Sequence, residues 1–156
     1  MASFVETMRG WLCDREGREH PAAFEVQARG ARGRFALRGV ISAPPFADEA
    51  LAEGTLAISA LPPSIAYRLR FASPAGEPLE LAAEKHPTPL HPLRSMTAME
   101  ATVADARGAQ VAAGTMLFDL RDLPRFLASW LPVHALAQRQ LEAARRRVER
   151  RLLAGA

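Results

Sequence analysis

Up to about residue 118 the chain alternates apolar and polar positions with a period of two, as strands with one dry and one wet face do. The clearest run is SIAYRLRFA, residues 64–72, where Ile65, Tyr67, Leu69 and Phe71 share one side and Arg68 and Arg70 the other. RFALRGVI, residues 34–41, sets Phe35 and Leu37 against Arg34 and Arg38. Leu79, Leu81 and Ala83 alternate with Glu80, Ala82 and Glu84, and Phe24 and Val26 with Glu25 and Gln27. Fainter alternation runs through residues 4–12, 55–60, 97–105 and 111–118.

The joints between runs carry turn chemistry. Ser73-Pro74-Ala75-Gly76 and Ala106-Arg107-Gly108 place glycine where a tight turn needs positive φ. Pro62-Pro63 stops one run before the next begins, because proline cannot donate to a ladder. Residues 64–81 and 97–118 therefore read as hairpins. Seven or eight short strands spaced by turns suggest a sandwich or a barrel. Consecutive hairpins close most simply as an antiparallel up-and-down β-barrel of calycin or lipocalin type. Two segments break the pattern. Residues 43–54, APPFADEALAEG, read as a helical turn at 48–52 or as a strand-linking loop. Residues 86–94, HPTPLHPLR, read as a proline-rich loop across one end of the sheet.

After residue 118 the period becomes helical. Leu120, Leu123, Phe126, Leu127, Trp130 and Leu131 form one apolar stripe, with Asp119 or Asp122 as N-cap. Pro132 ends that helix and can open a second. The second stripe (Val133, Ala137, Leu141, Ala144, Val148 and Leu152) is narrow and flanked by arginines. The expected fold class is mainly β with C-terminal α. Residues 1–131 form an antiparallel β domain closed by a short helix, and residues 132–156 form a basic amphipathic helical tail.

Composition changes this picture in three places. At 156 residues the chain suits one domain with a core of useful size. Cys13 is the only cysteine, so an internal disulfide and a multi-cysteine metal site are excluded. The start, MASFVETMRG, has no signal-peptide pattern, and no apolar run approaches the ~20 residues of a membrane span, so a cytoplasmic location is expected. The basic charge is local: residues 120–156 carry eight arginines against three acids, whereas residues 1–119 are slightly acidic. That arginine face can pack on another copy, stay solvated, or grip phosphate. The arginine-rich stretch, residues 139–151, lacks stacking aromatics, and Glu142 and Arg146 are spaced for a helical ion pair. Self-association through residues 133–153 is therefore favoured over nucleic-acid or lipid phosphate.

Few residues offer chemistry. Lys85, the only lysine, continues the inward parity of Leu79, Leu81 and Ala83. It is either a lumen amine of lowered pKa or a strand-end lysine reaching water along its stem. Tyr67, the only tyrosine, either orients a ligand or is a core tyrosine with one hydrogen-bond partner. His86 and His91 lack a third ligand at metal spacing and read as loop histidines. Cys13 beside Asp14 reads as inert. Glycine-rich phosphate loops, nucleophile elbows and paired-cysteine motifs are absent, so no cofactor, metal or catalytic residue is assigned.

The motif order ETMRGWL, ALRGVISAPP, EGTLAIS, AYRLRFASPAGEPLELAAEK, TAMEATVADARG and AAGTMLFDLRDL resembles a small β-rich bacterial domain. That domain accompanies glucose-methanol-choline-type flavin oxidoreductases, including cholesterol-oxidase-like enzymes. The resemblance covers residues 4–131 and is most specific at residues 66–85, with Gly76, Leu79 and Lys85. Where the family has a tryptophan-aspartate-threonine-rich segment, this chain has HPTPLHPLRSMTAME, and the arginine-rich tail has no counterpart. The resemblance implies an accessory domain with a flavin oxidoreductase as partner and no flavin fingerprint of its own.

Three functional readings follow. In the leading one, a non-enzymatic barrel holds a small hydrophobic, lipid- or sterol-like ligand among Phe35, Leu37, Ile65, Tyr67, Leu69, Phe71, Lys85 and Met99. In the second, the chain is a structural module that self-associates through its tail. In the third, it is a small isomerase or cyclase using Lys85 and Tyr67, which requires those side chains to share one pocket.

Overall fold

The computed structural model describes residues 1–86 and 98–118. The expected helices of residues 120–131 and 133–153, and the loop beyond His86, lie outside the described residues. Eight strands run in sequence order: β1 (Ala2–Asp14), β2 (Glu19–Ala31), β3 (Arg34–Ala43), β4 (Ala47–Ala60), β5 (Pro63–Ala72), β6 (Pro78–Lys85), β7 (Ala98–Asp105) and β8 (Gln110–Phe118). Each pairs antiparallel with its neighbours, and β8 returns to β1 from Met8↔Phe118 to Asp14↔Ala112, closing the barrel. Both expected hairpins are present as β5–β6 and β7–β8.

Alternation dictates which side chains fill the barrel. Met8, Leu12, Phe24, Val26, Leu56, Leu81 and Met116 point inward and are buried. Arg9, Glu25, Arg38, Glu53, Arg68 and Arg70 point outward and are exposed. Cross-wall ion pairs such as Arg38–Glu53 at 2.8 Å and Arg68–Glu80 at 2.9 Å decorate this wet face. Exposed pairs of this kind contribute at most about 1 kcal/mol, so the inner face drives closure. No helix among the described residues is long and apolar enough to cross a membrane.

Closure also needs curvature. At Gly10 and Gly114 on the β1–β8 seam, an added Cβ would lie 1.8 and 1.9 Å from the Thr115 and Trp11 carbonyl oxygens. Gly39 is equally tight, 1.9 Å from the Glu25 oxygen. These positions share the inward parity of buried residues two places away (Met8 and Leu12, Ala112 and Met116, Leu37 and Ile41), and backbone of the neighbouring strand occupies the space a side chain would need.

Three turns at one end of the barrel share a device. After β1, β5 and β7 a glycine takes positive φ: Gly17 at 79°, Gly76 at 83° and Gly108 at 79°. A polar side chain three residues earlier holds the loop. Asp14 Oδ1 accepts from the Glu16 and Arg18 amides at 3.0 and 2.9 Å. Asp105 Oδ1 accepts from the Arg107 and Ala109 amides at 2.9 and 3.0 Å. Ser73 Oγ accepts from the Glu77 amide at 3.1 Å. These side chains replace ladder partners the turning backbone loses.

One expectation is corrected. Residues 43–54 hold neither a helical turn at 48–52 nor a long loop: only residues 44–46 turn, and β4 begins at Ala47. A bulge hid the strand. The β3–β4 register slips between Ile41 and Ala43, and Glu49 takes φ 45°. The extra residue lets Ala47 and Ala52, an odd number apart, both face the core, which breaks period-two reading.

Candidate functional site

The two ends of the barrel differ. Turns after β1, β3, β5 and β7 close one end. At the other, β1 begins, β6 ends, β7 begins and β8 finishes. The buried charges Glu6 and Lys85 lie on the halves of β1 and β6 nearer this second end.

Glu6 shares inward parity with Met8 and Leu12 on β1 and is only 1% exposed. Tyr67 sits mid-strand on β5, 1% exposed, opposite Leu56 of β4 and Ala83 of β6. Its hydroxyl lies 2.6 Å from both Oε1 and Oε2 of Glu6 and donates to the carboxylate. Since β1 and β5 are four strands apart on an eight-strand ring, this bond crosses the lumen. Lys85 is paired with Ile65 at the end of β6, so it is the diagonal inward neighbour of Tyr67. It is 6% exposed, and its Nζ stands 5.7 Å from the centre of the Phe118 ring, within cation–π range.

The surroundings set the ionisation of these groups. Burial pushes the Tyr67 phenol well above its usual value, and the Glu6 charge adds to the effect. The proton therefore stays on the phenol. Burial lowers the Lys85 ammonium to about 8, while the Glu6 charge opposes that drop. An amine of this kind is still mostly protonated at neutral pH and exchanges its proton readily just above it.

All eight sequence-selected residues face the lumen: Phe35, Leu37, Ile65, Tyr67, Leu69, Phe71, Lys85 and Met99 are all buried. Lys85 is thus the inward lysine and not the solvent-reaching one. Tyr67 and Lys85 lie on the same face of one hairpin. Phe35 packs edge-on against Phe4 at 5.3 Å, and Tyr67 is tilted against Phe24 at 6.2 Å. Sequence reasoning missed Glu6. The signal was its place between Phe4 and Met8 on the apolar parity of β1, where an acid must be buried.

A second titratable pair lies at the turn end. His20 Nε2 is 2.8 Å from Asp14 Oδ2, and the His20 ring stands edge-on to Phe46 at 5.9 Å. The His20 bond, helped by the Arg18 amide, holds the Asp14 carboxyl down at about 2. Asp14 also organises its own turn, which accounts for the pair structurally. On the outer wall of β1–β3 a groove of about 630 Å³ is lined by Thr7, Arg9, Ala23, Glu25, Val40 and Ser42. Among the described residues, only the lumen joins a buried acid, a buried phenol and a buried amine within apolar walls. Against known proteins, the chain matches no family model and no curated sequence.

Proposed function

We propose that this chain is a non-enzymatic binding domain whose lumen holds a small hydrophobic, lipid- or sterol-like molecule. The observation that carries the reading is the Glu6–Tyr67–Lys85 group inside an otherwise apolar barrel. Burying two charges costs several kcal/mol each before pairing, and apolar residues of similar volume often do better for stability. A few convergent polar groups in an apolar container are what ligand orientation requires. An eight-strand barrel is wide enough to be filled by its own side chains or to take one small ligand. Among the described residues eight buried alanines, Ala28, Ala83 and Ala101 among them, keep much of the wall low.

The resemblance of residues 4–131 to the accessory domain of glucose-methanol-choline-type enzymes supports a flavin oxidoreductase as the partner served. Lipocalin-like delivery of a hydrophobic substrate would suit that partnership. The shared face of Tyr67 and Lys85 on the β5–β6 hairpin favours a small isomerase or cyclase as the second reading. Binding is preferred because Glu6 and burial hold the phenol proton firmly, whereas a general acid needs a pKa near the working pH.

Lys85 is the only lysine, so amine acetylation followed by peptide mass spectrometry reports on the lumen directly. The expected result is that Nile red binds, cholesterol or a long-chain alcohol displaces it, and either ligand protects Lys85 from acetylation. A chain that binds no dye, and whose Lys85 is modified equally with and without lipid, overturns the reading.

A further inference from the structure

Charge on the outside of the barrel is sorted between its two ends. At the turn end, residues 14–19, 44–49, 73–77 and 105–109 hold seven acids against three arginines. At the other end the β2–β3 and β4–β5 hairpins reach their tips. The stretches that form them, residues 26–47 and 54–76, carry six arginines and no acid. Arg29, Arg32 and Arg34 stand together around the β2–β3 tip, all exposed. Arg38 and Arg68 are balanced by Glu53 and Glu80. Among the described residues, by contrast, no carboxylate lies within ion-pair distance of the three arginines at the tip. The acids at this end, Glu84 and Glu100, face each other on β6 and β7, across the ring.

The two tips form one surface. The Gly33 carbonyl accepts from the Ile58 amide at 2.7 Å, and Arg34 is in register with Ala57. Three residues after Ile58, Leu61 opens the β4–β5 turn, 90% exposed and followed by exposed Pro62 and Pro63. Arg32 and Gly33 both take positive φ, 53° and 75°. Asparagine or aspartate before glycine is the usual choice for such a two-residue turn, so arginine there sets a cation on the tip against the local preference. We propose that this basic, leucine-tipped end of the barrel docks on an anionic lipid surface, Arg29, Arg32 and Arg34 meeting the headgroups and Leu61 entering the acyl boundary. The field of an anionic leaflet fades within a Debye length, about 8 Å at physiological salt. Strands of eight to fourteen residues, rising about 3.3 Å per residue, hold the acidic turn end well outside that range. Nucleic acid is the other polyanion such arginines could meet. The large apolar side chain exposed on these tips is aliphatic, which suits hydrocarbon and offers no stacking platform for bases. Docking needs no lumen ligand, so it stands or falls apart from the binding reading.

Residues 120–156 carry an arginine excess of their own, so the test leaves them unchanged and varies the tips. Vesicle flotation of the full chain at physiological salt compares phosphatidylcholine alone with phosphatidylcholine mixed with phosphatidylserine, and a DNA duplex is titrated in parallel. The parent chain should bind the mixed vesicles in preference to the neutral ones. Arg29→Gln, Arg32→Asn and Arg34→Gln together should weaken that binding about a hundredfold, or about fivefold per cation. Leu61→Ser should weaken it about tenfold. Arg15→Gln, Arg18→Gln and Arg107→Gln together remove the same charge from the turn end and should change it by less than about threefold. Equal losses in the two triple variants would reduce the effect to net charge and overturn the proposal. So would a tip variant that binds like the parent, vesicle binding without preference for phosphatidylserine, or DNA held as tightly as the mixed vesicles. Asparagine suits the positive φ of Arg32, so the tip variant is expected to keep the urea midpoint of the parent. Should it not fold, the lipid preference of the parent and the loss in Leu61→Ser decide.

Discussion

Glu6 and Tyr67 join opposite walls of the barrel: the Tyr67 hydroxyl on β5 lies 2.6 Å from both carboxylate oxygens of Glu6 on β1, strands that share no ladder bond. A hydrogen bond to a buried charged group contributes about 1.5–3 kcal/mol. Tyr67→Phe keeps the ring and its packing on Phe24 and removes only the donor. It should therefore lower unfolding free energy by about 1.5–3 kcal/mol, measured by urea denaturation. A change within error would mean that the crossing bond adds nothing to the fold.

The same site makes stability depend on alkaline pH in two opposed ways. Lys85 holds its proton to about 8 when folded against 10.5 ordinarily, so between those values the unfolded chain binds a proton the folded one has released. The penalty for burying the ammonium is fully present below about 8, and stability rises with pH through the window. The rise is at most about 3 kcal/mol, from 1.36 kcal/mol per unit. Tyr67 acts in reverse: its folded value lies well above 10.0, so the unfolded phenol ionises first and stability falls above that point. Urea midpoints should climb from about pH 8 and turn down above about pH 10. Lys85→Met should flatten the climb and spare the decline. As the only tyrosine, Tyr67 also reports itself by phenolate absorbance, which should appear at higher pH in the folded barrel than in the urea-unfolded chain.

Two glycine substitutions separate crowding from backbone strain. At Gly39 an added Cβ would sit 1.9 Å from the Glu25 carbonyl oxygen, so β2 and β3 must part. At Gly76 nothing lies within 4 Å, and the cost is the φ of 83° alone. Gly76→Ala should cost about 1–2 kcal/mol, and Gly39→Ala about 3 kcal/mol or more. Equal losses in thermal or urea unfolding would contradict the reading of Gly39 as a closure point.

At the turn end, Asp14 should confer acid-sensitive stability. Its folded value of about 2 lies below the ordinary 3.8, so its contribution is fully present above about pH 4 and is lost as pH falls through 2. Asp14→Ala removes the His20 partner and the oxygen that accepts from the Glu16 and Arg18 amides together. The variant should have a lower urea midpoint than the parent at pH 6, and the gap should close toward pH 2. A gap independent of pH would assign the effect to the turn amides alone.

How far the sequence could be read depended on where the period-two signal survived. Around Tyr67 bulky apolar residues alternate with arginines, so parity, burial and the neighbouring turn were all visible, as was the lumen position of all eight selected residues. β4 was lost because a bulge at Glu49 shifts parity midway, and because alanine and glutamate are weak strand formers. Glu6 was lost for a different reason. Parity placed it inside, yet an acid on a dry face contradicts the hydrophobic expectation, and its partner lies 61 residues away on the opposite wall. Only closure brings β1 and β5 face to face. The curvature glycines were equally silent, since their role is set by carbonyls on the next strand.

If Glu6 and Lys85 are kept for a ligand and not for the fold, their energetics should show it. The Glu6 charge opposes the burial-driven drop in the Lys85 value, so removing either group changes the surroundings of the other. Glu6→Gln should cost about 2–4 kcal/mol, whereas Lys85→Met should cost little near pH 7, because burial disfavours the ammonium it removes, and the double variant should depart from the sum of the two. A double-mutant cycle in urea measures this, with a coupling of about 1–3 kcal/mol expected. The double variant should also bind cholesterol more weakly, because the pair proposed to orient it is gone. Stability retained with binding lost would assign the pair to recognition. Strict additivity of the single effects would mean that the two charges do not sense each other across the barrel.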